Sequence, residues 1–176
     1  LDCLFGRRLD RYLEIEGAKL EIISLPGHSV NMIGISYDNV LFCADAIFSS
    51  EQLLKHKLLF NVELDKTIKT LEYLKGSGFK YYLPSHGSIT ESISCLAQEN
   101  IDWIKKISMN ILDQVKDGVS FENLLKNSLD FFGITCKDVT KYFMMKTCML
   151  SEISYLQKEN KIIIEIRDNL MIIKKS

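Results

Sequence analysis

The chain has 176 residues, which is the size of one ordinary domain or of one domain with a small appendage. Hydrophobic residues make up 47% of it and charged residues 26%, so it can bury a core and is not a disordered tail. Its formal net charge of -1 argues against binding through a strong basic field. No apolar run approaches the roughly 18 residues of a membrane span, so we expect no membrane association.

The spacing of the cysteines indicates a cellular compartment, and the first residues indicate whether the chain is cleaved or truncated. Five cysteines are widely spaced and none forms a Cys-x-x-Cys pair, which predicts neither a disulfide framework nor a thiolate zinc knuckle. We therefore expect a cytoplasmic protein in a reducing environment. The chain begins at Leu1 without a signal peptide and without an initiator Met, which favours a cleaved or truncated product.

The first half of the sequence changes its hydrophobic period repeatedly, which predicts strands and helices together. Gly17 separates two apolar segments and predicts the turn of a hairpin. Leu64, Ile68 and Leu71 fall on one face of a helix. The predicted elements, in chain order, are a hairpin over 12–25, strands at 30–36 and 40–44, a helix from 64 to 76 and a strand at 80–83.

The second half is predicted to be mostly helical. An apolar stripe from Ile93 to Val115 predicts a helix of about six turns, and Ser120 is the expected N-cap of the next helix. Further helices are predicted over 138–145 and 147–159, and a hairpin over 161–174. A boundary near Asp117–Gly118 divides the chain into predicted domains 1–118 and 119–176.

Three residues that can bind metal ions follow predicted strands. His28 and His86 come just after two of these strands, and Asp45 directly follows the strand that ends at Ala44. Imidazole and carboxylate together suit Zn²⁺, Fe²⁺ or Mn²⁺, and a carboxylate can bridge two ions. Three ligands are too few for two tetrahedral ions. On residue types alone, ordinary loop residues at strand ends remain the alternative to a metal site.

The surroundings of these residues resemble a known family. The segments are Leu25-Pro26-Gly27-His28-Ser29, Val40-Leu41-Phe42-Cys43-Ala44-Asp45 and Tyr82-Leu83-Pro84-Ser85-His86-Gly87. In this order they resemble the later metal-binding motifs of the metallo-β-lactamase superfamily, over roughly residues 10–90. The resemblance implies an α/β (α+β) fold, the C-terminal half of an αββα sandwich.

The resemblance also implies a ligand set. His28 would ligate one metal ion, His86 a second, and Asp45 would bridge them as the catalytic carboxylate. The two divalent ions are expected to be zinc, with iron or manganese as alternatives.

One motif of the family is missing. The family's His-x-His-x-Asp-His should precede His28, but the 27 residues before His28 contain no histidine. We therefore expect a C-terminal fragment that binds metal weakly and has little or no hydrolytic activity by itself. Half a sandwich exposes sheet edges and an apolar face, which predicts self-association or pairing with the missing N-terminal half.

Several other residues have more than one interpretation. Ser29 and Ser85 flank the candidate ligands and could orient their rings through hydrogen bonds. His56 is interpreted as a solvated histidine, with a contact to the substrate pocket as the alternative. Cys43 is expected to be a small buried core residue, with a metal-tuning role as the alternative.

The C-terminal region, residues 120–174, resembles a winged-helix module of three helices and a hairpin. The helix predicted over 147–159 has one lysine and two glutamates, which is the wrong sign of charge for contact with phosphates. We therefore favour a lid or wall of the substrate pocket over contact with nucleic acid.

The leading functional hypothesis is a fragment of a metal-dependent hydrolase. In the parent enzyme a metal-bridged hydroxide would attack an ester, thioester, amide or phosphodiester bond. A small-molecule ester or thioester is the expected substrate, and RNA cleavage is the alternative within the family. A non-catalytic α/β binding or assembly module is the alternative from a different class.

Overall fold

In a computed structural model, the chain is described over residues 10–116 and 118–176. It forms two compact units. Unit 1 comprises Leu1–His56 and Val62–Asp102, and unit 2 comprises Lys57–Asn61 and Trp103–Ser176. Within the described ranges, every helix is too short or too polar to cross a membrane.

Unit 1 is built on a five-stranded sheet in the order β1-β2-β3-β4-β5. Pairing is antiparallel from β1 to β4, whereas β4 and β5 are parallel. Parallel neighbours require a crossover, and the two helices between β4 and β5 provide it. The elements are β1 (Tyr12–Ile15), β2 (Ala18–Ser24), β3 (Ile33–Tyr37), β4 (Val40–Ala44), α1 (Ser50–His56), α2 (Leu64–Gly76), β5 (Tyr81–Pro84) and the start of α3 (Ile93–Gln114).

Two-residue turns close the hairpins of the chain. Glu16 and Gly17, which join β1 to β2, have φ angles of 50° and 83°. Asp38 and Asn39, which join β3 to β4, have φ angles of 46° and 64°. Positive φ at both central residues matches the right-handed twist of the strands and favours Asn, Asp and Gly. The turn predicted from Gly17 is confirmed.

The two faces of the sheet are covered differently. Leu41 and Cys43 of β4 are fully buried on one face, and on the same face the Tyr82 hydroxyl lies 2.9 Å from Ser77 Oγ, just beyond α2. Phe42 points to the opposite face and is 45% exposed. Strand register places these residues on that face, which we call the outer face: Leu13, Ile15, Ala18, Leu20, Ile22, Ser24, Ile33, Ile35, Tyr37, Val40, Phe42, Tyr81 and Leu83.

Unit 2 has a helical core and a small antiparallel sheet. Its elements after α3 are β6 (Val119–Ser120), α4 (Phe121–Phe132), α5 (Val139–Lys158), β7 (Ile162–Arg167) and β8 (Leu170–Lys175). The sheet has the order β6-β8-β7. One apolar cluster joins these elements, and it includes Ile111, Leu124, Leu125, Met149, Ile153, Leu156 and Ile173.

Most of the predicted elements are confirmed, and the residues at their ends explain why. Ser120 is the N-cap of α4, as predicted, and its hydroxyl accepts a hydrogen bond from the Asn123 amide. Gly133 ends the same helix with a φ of 64°. The strand predicted from residue 30 begins only at Ile33, after a turn at 28–31. The two-residue strand β6 was not predicted, because it is too short to show a period.

The predicted break between helices at 145 and 147 is wrong. A single helix, α5, runs from Val139 to Lys158, and its N-cap Asp138 accepts a hydrogen bond from the Lys141 amide. No Gly or Pro interrupts this segment, and Met145 and Cys148 lie on one buried face. Unit 2 therefore has one helix fewer after Ser120 than predicted. The full α5 has three lysines and one glutamate, so the negative charge predicted for this helix is also wrong.

The predicted domain boundary between residues 118 and 119 falls inside unit 2. The two compact units divide within α3, between Asp102 and Trp103. Asp117, next to the predicted boundary, lies outside the described residues, as do Leu1 and Cys3. The boundary stays a prediction.

A carboxyl group is buried in the helical core of unit 2. Glu152 of α5 is 5% exposed, and the Ser108 hydroxyl of α3 donates to its Oε2 over 2.6 Å. Burial raises the pKa of Glu152 to about 8, and the hydrogen bond from Ser108 opposes this only in part. The Cys148 thiol lies close enough that Glu152 contributes to its raised pKa, although burial is the larger cause. Glu152 is therefore mostly protonated in the folded protein at neutral pH.

This burial predicts the pH dependence of stability. Because the folded state holds the Glu152 proton up to about pH 8 and the unfolded state releases it near 4.5, stability falls as the pH rises through that range. The slope is at most about 1.4 kcal/mol per pH unit. Glu152→Gln is expected to remove this slope, as measured by urea unfolding between pH 5 and 8.5. Glu159→Gln, at the exposed end of α5, is the control and is expected to keep it. Parallel pH profiles for Glu152→Gln and the unmodified chain would contradict the assignment.

Candidate metal centre

Three strand ends meet at one edge of the sheet in unit 1. β3 is antiparallel to both β2 and β4, and β5 is parallel to β4, so β2, β4 and β5 all run in the same direction. Their C-terminal ends therefore lie at the same edge. His28, Asp45 and His86 each follow one of these ends. The topology thus explains why residues far apart in sequence come together.

The loop that carries His28 is held against the beginning of α2. Gly27 has a φ of 140°, and a Cβ atom there would lie 2.3 Å from Thr67 Oγ1, so only glycine fits. The Gly27 carbonyl accepts hydrogen bonds from the amides of Val62 and Glu63. The Thr70 hydroxyl donates to the Pro26 carbonyl over 2.7 Å. These contacts fix the backbone immediately before His28.

Asp45 follows an irregularity at the end of β4. The pairing with β5 shifts register between Phe42 and Ala44, and Ala44 has a φ of 50°. A non-glycine residue in the left-handed region costs on the order of 1 kcal/mol and is often found at functional sites. A bulge also changes the direction of the side chain that follows it. The Asp45 carboxylate is therefore directed by strained backbone rather than by the regular alternation of the strand.

The His86 loop is tied directly to this irregularity. The Ser85 amide donates to the Ala44 carbonyl over 2.9 Å, so the residues that precede His86 and Asp45 are joined by their backbones. Tyr82 and Thr90 form a bridge that closes the loop from the other side. The His86 side chain is 61% exposed, compared with 24% for His28 and 30% for Asp45.

The three side chains converge on the Asp45 carboxylate. His28 Nε2 lies 3.7 Å from Asp45 Oδ2, and His86 Nε2 lies 3.6 Å from Asp45 Oδ1. These distances are too long for hydrogen bonds. Two ligands at about 2.1 Å from a tetrahedral ion lie roughly 3.4 Å apart, which is close to both values. Each oxygen faces a different imidazole, as a carboxylate that bridges two ions would.

A metal ion fits this donor set only in part. Asp45 Oδ1 is buried and, among the described residues, accepts no hydrogen bond, so an electropositive partner suits it. Imidazole nitrogen and carboxylate oxygen are ligands for Zn²⁺, Fe²⁺ and Mn²⁺. Each ion would, however, gain only one imidazole and one oxygen from these residues. Accordingly, no group of three or more His, Cys, Asp or Glu in residues 10–116 and 118–176 is arranged to hold one metal ion.

The remaining predicted site residues lie around this cluster or away from it. Ser29 and Ser85 are adjacent to the two histidines. Their backbone atoms form hydrogen bonds with Gly27 and Ala44, and the orienting role of their hydroxyl groups stays a prediction. His56 is the last residue of α1, and its contact with a substrate pocket also stays a prediction. Cys43 is fully buried and burial raises its pKa to about 12, which fits a core thiol rather than a thiolate ligand.

Two residues that support the site were not predicted. Asn100 is 1% exposed, and its side-chain amide binds the backbone of Phe48, three residues after Asp45. Thr70 binds the backbone before His28. Both are polar residues within apolar helix stripes, beside Ala97 and Ile101 in one case and Leu71 in the other. That position in a buried stripe is the sequence feature that could have identified them.

Comparison with known families and structures shows what the chain resembles. Residues 6–86 match the family described as "Metallo-beta-lactamase superfamily". This part of the chain is therefore similar to the metallo-β-lactamase superfamily, in agreement with the resemblance of its motifs. No curated protein matches the sequence.

Two solved structures resemble nearly the whole chain. One is a metallo-beta-lactamase family protein from Thermus thermophilus, with a TM-score of 0.74 and 15% identity. The match covers 99% of this chain and 55% of that one. The other is a beta-lactamase domain protein from Burkholderia ambifaria, with a TM-score of 0.75 and 13% identity. It covers 97% of this chain and 52% of that one. The mixed α and β fold is thereby confirmed, and the chain spans about half the length of either structure.

The close contact at Gly27 predicts a local sensitivity. Gly27→Ala is expected to lower the free energy of unfolding by about 2 kcal/mol, because the new methyl group would overlap Thr67. Thermal or urea unfolding measures this loss. Gly76→Ala is the matched control, because nothing lies within 4 Å of its Cβ position, and it is expected to change stability by less than about 0.5 kcal/mol. Equal stabilities of the two variants would show that the loop does not pack on α2 as described.

Proposed function

We propose that this chain supplies part of the dinuclear metal centre of a metallo-β-lactamase-fold hydrolase. The observation that carries the proposal is the Asp45 carboxylate, which directs one oxygen to His28 and the other to His86. The superfamily is typically hydrolytic and metal-dependent, which supports a hydrolase as the class of enzyme.

Each of the three residues has a distinct role in this proposal. His28 would hold one ion and His86 the other, both through Nε2. Asp45 would offer one carboxylate oxygen on the side of each histidine and is the proposed catalytic carboxylate. When bound, the ions supply Lewis acidity and a hydroxide nucleophile at neutral pH. We propose zinc, with iron or manganese as alternatives that the same donor atoms accept.

The number of ligands limits what the chain can do by itself. One imidazole and one carboxylate oxygen per ion fall short of the four ligands of a tetrahedral zinc site. The remaining ligands must come from polypeptide other than the described residues of this chain. We therefore propose that the 176-residue chain is a fragment that binds metal weakly and has little or no hydrolytic activity. The coding sequence upstream of Leu1 is then expected to encode a His-x-His-x-Asp-His motif, and its absence would refute the hydrolase proposal.

Exposed apolar residues on the outer face of the sheet support the proposal that a partner polypeptide is missing. Every residue of β4 is apolar, which is typical of strands that are buried on both faces, yet Phe42 is 45% exposed. Leu13 and Ile15 are about half exposed on the same face. We propose that a second β-sheet, carried by the polypeptide that provides the remaining ligands, covers this face. In its absence, a second copy of the chain is the available partner.

The substrate is proposed to be a small ester or thioester, and one observation favours a phosphodiester as the second candidate. The overall charge of -1 conceals an uneven distribution. Unit 2 has 13 basic and 9 acidic residues, a formal charge of +4, whereas unit 1 has 9 basic and 14 acidic residues, a formal charge of -5. Near-neutral charge is thus no argument against nucleic acid as a partner of unit 2.

Unit 2 is proposed to be a winged-helix-like module. Its order of elements is helix, β6, α4, α5 and the β7–β8 hairpin, with β8 between β6 and β7 in the sheet. Lys141 and Lys146 give α5 a positive charge, but Val139, Phe143 and Leu150 are exposed apolar residues on the same helix. A lid or wall of the substrate pocket therefore stays the preferred role, with nucleic-acid contact as the alternative.

A cytoplasmic location is part of the proposal. Four cysteines, Cys43, Cys95, Cys136 and Cys148, are free thiols in the described residues. Free thiols persist where the surroundings are reducing.

Metal binding can be tested on the chain as it stands. In long-range ¹H–¹⁵N spectra of its three histidines, Zn²⁺ is expected to shift the imidazole signals of His28 and His86 with weak affinity. His56 serves as the internal control and is expected to stay unchanged. Asp45→Asn keeps the size of the side chain but removes its charge, and it is expected to abolish both shifts. If Zn²⁺ moves none of the signals or all three equally, the non-catalytic binding or assembly module becomes the better interpretation.

Self-association can be tested by sedimentation velocity. The unmodified chain is expected to form dimers or larger species through its outer face. Phe42→Lys places a charge on that face and is expected to weaken association by about tenfold, equivalent to about 1.4 kcal/mol. Tyr73→Lys on α2 is the matched control, since Tyr73 is also 45% exposed, and it is expected to leave association unchanged. A clean monomer of the unmodified chain, without a second polypeptide, would contradict the proposed partner.

A further inference from the structure

We propose that Asn100 is a positioning residue for the metal centre, and this inference rests on the function proposed above. Asn100 belongs to α3 and lies 55 residues after Asp45 in the sequence. Its side chain holds the backbone of Phe48, and the Phe48 ring lies against the His28 imidazole. Through this one peptide segment, Asn100 acts on two of the three candidate ligands.

The side-chain amide of Asn100 forms three hydrogen bonds. Its Oδ1 accepts a hydrogen bond from the Phe48 amide over 3.0 Å, and its Nδ2 donates to the Phe48 carbonyl over 2.8 Å. The second hydrogen of Nδ2 is directed to the Leu96 carbonyl, one turn earlier in α3, over 2.8 Å. Only a side chain with a donor and an acceptor in one plane can bind both backbone groups of Phe48 in this way.

The segment that Asn100 holds has no regular structure of its own. Residues 46–49 connect Asp45 to the start of α1 and belong to no strand or helix, although the Ser49 carbonyl accepts a hydrogen bond from the Leu53 amide of α1. Ala46 and Ile47 are buried, which leaves the polar backbone of Phe48 to be satisfied by side chains. Ser50, the first residue of α1, donates to the Glu99 carboxylate over 2.7 Å. Neighbouring residues of α3 thus hold both ends of the Phe48–Ser50 segment.

Phe48 transmits this constraint to His28. The centroids of the two rings are 6.3 Å apart, and the ring planes are inclined by 49°. A bulky ring at this distance limits the rotation of the imidazole. Because Asp45 precedes Phe48 by three residues, a displacement of Phe48 would also alter the direction of the carboxylate. The expected consequence is a change in metal affinity rather than in fold.

The test compares two neighbouring buried residues of α3. Asn100→Ala removes all three hydrogen bonds, whereas Ile101→Ala removes buried apolar volume and leaves the amide of Asn100 intact. Both variants are expected to lose stability in urea unfolding. Asn100→Ala is expected to weaken Zn²⁺ binding at His28 and His86 by about tenfold, as supporting residues of metal sites typically do. Ile101→Ala is expected to keep the affinity of the unmodified chain.

A second measurement needs no metal. The ring current of Phe48 acts on the carbon-bound protons of His28, so Asn100→Ala is expected to shift these signals in the metal-free chain, and Ile101→Ala is not. Equal His28 shifts and equal affinities in the two variants would overturn the positioning role. If Zn²⁺ does not bind the unmodified chain, the proposed function fails, and the metal-free shifts alone decide whether Asn100 positions His28.

Discussion

The candidate metal centre depends on the place where regular pairing ends in β4. Up to Phe42 the strand alternates between the two faces of the sheet, and a continued alternation would direct Asp45 according to the same period. The left-handed backbone at Ala44 breaks that period, and the Ala44 carbonyl is then available to the Ser85 amide. One local distortion thus turns the carboxylate and fastens the neighbouring loop that carries His86. The strain is sustained because the residues around it are buried and hydrogen-bonded.

The sequence was sufficient to predict which residues form the cluster, but not how they are held. Residue type and position after apolar segments made His28, Asp45 and His86 candidates. The resemblance of the surrounding segments to metallo-β-lactamase motifs then favoured them over ordinary loop residues. The shared direction of β2, β4 and β5 follows from strand order, which a single sequence does not specify. The positive φ at Ala44 was not predictable either, since alanine is not a residue that favours this conformation. Asn100 was overlooked because its partner, Phe48, is distant in sequence and offers only its backbone.

Two predictions from local sequence were wrong, namely the extent of helix α5 and the sign of its charge. The helix α5 was predicted as two pieces, and the shorter second piece omitted Lys141 and Lys146. The sign of its charge was therefore wrong, and an argument against phosphate contact depended on that sign. Formal charge is informative only when it is summed over a unit that folds together. Glu152 adds to this effect, because a carboxyl group that is mostly protonated at neutral pH contributes little negative charge to unit 2.

The exposed apolar face and the incomplete ligand set are two aspects of one deficiency. Phe42 on the outer face and Asp45 in the cluster are three residues apart in sequence, which is at most about 10 Å along the chain, and Asp45 directly follows the end of β4. The polypeptide proposed to cover Phe42 would therefore pass close to the cluster and could add ligands to it. Binding of that polypeptide and binding of the metal ion would then be coupled. Each would raise the affinity of the chain for the other by the same factor. In that case metal affinity would be a property of the covered sheet, and the weak binding and the self-association proposed for this chain would both follow from the same exposed face.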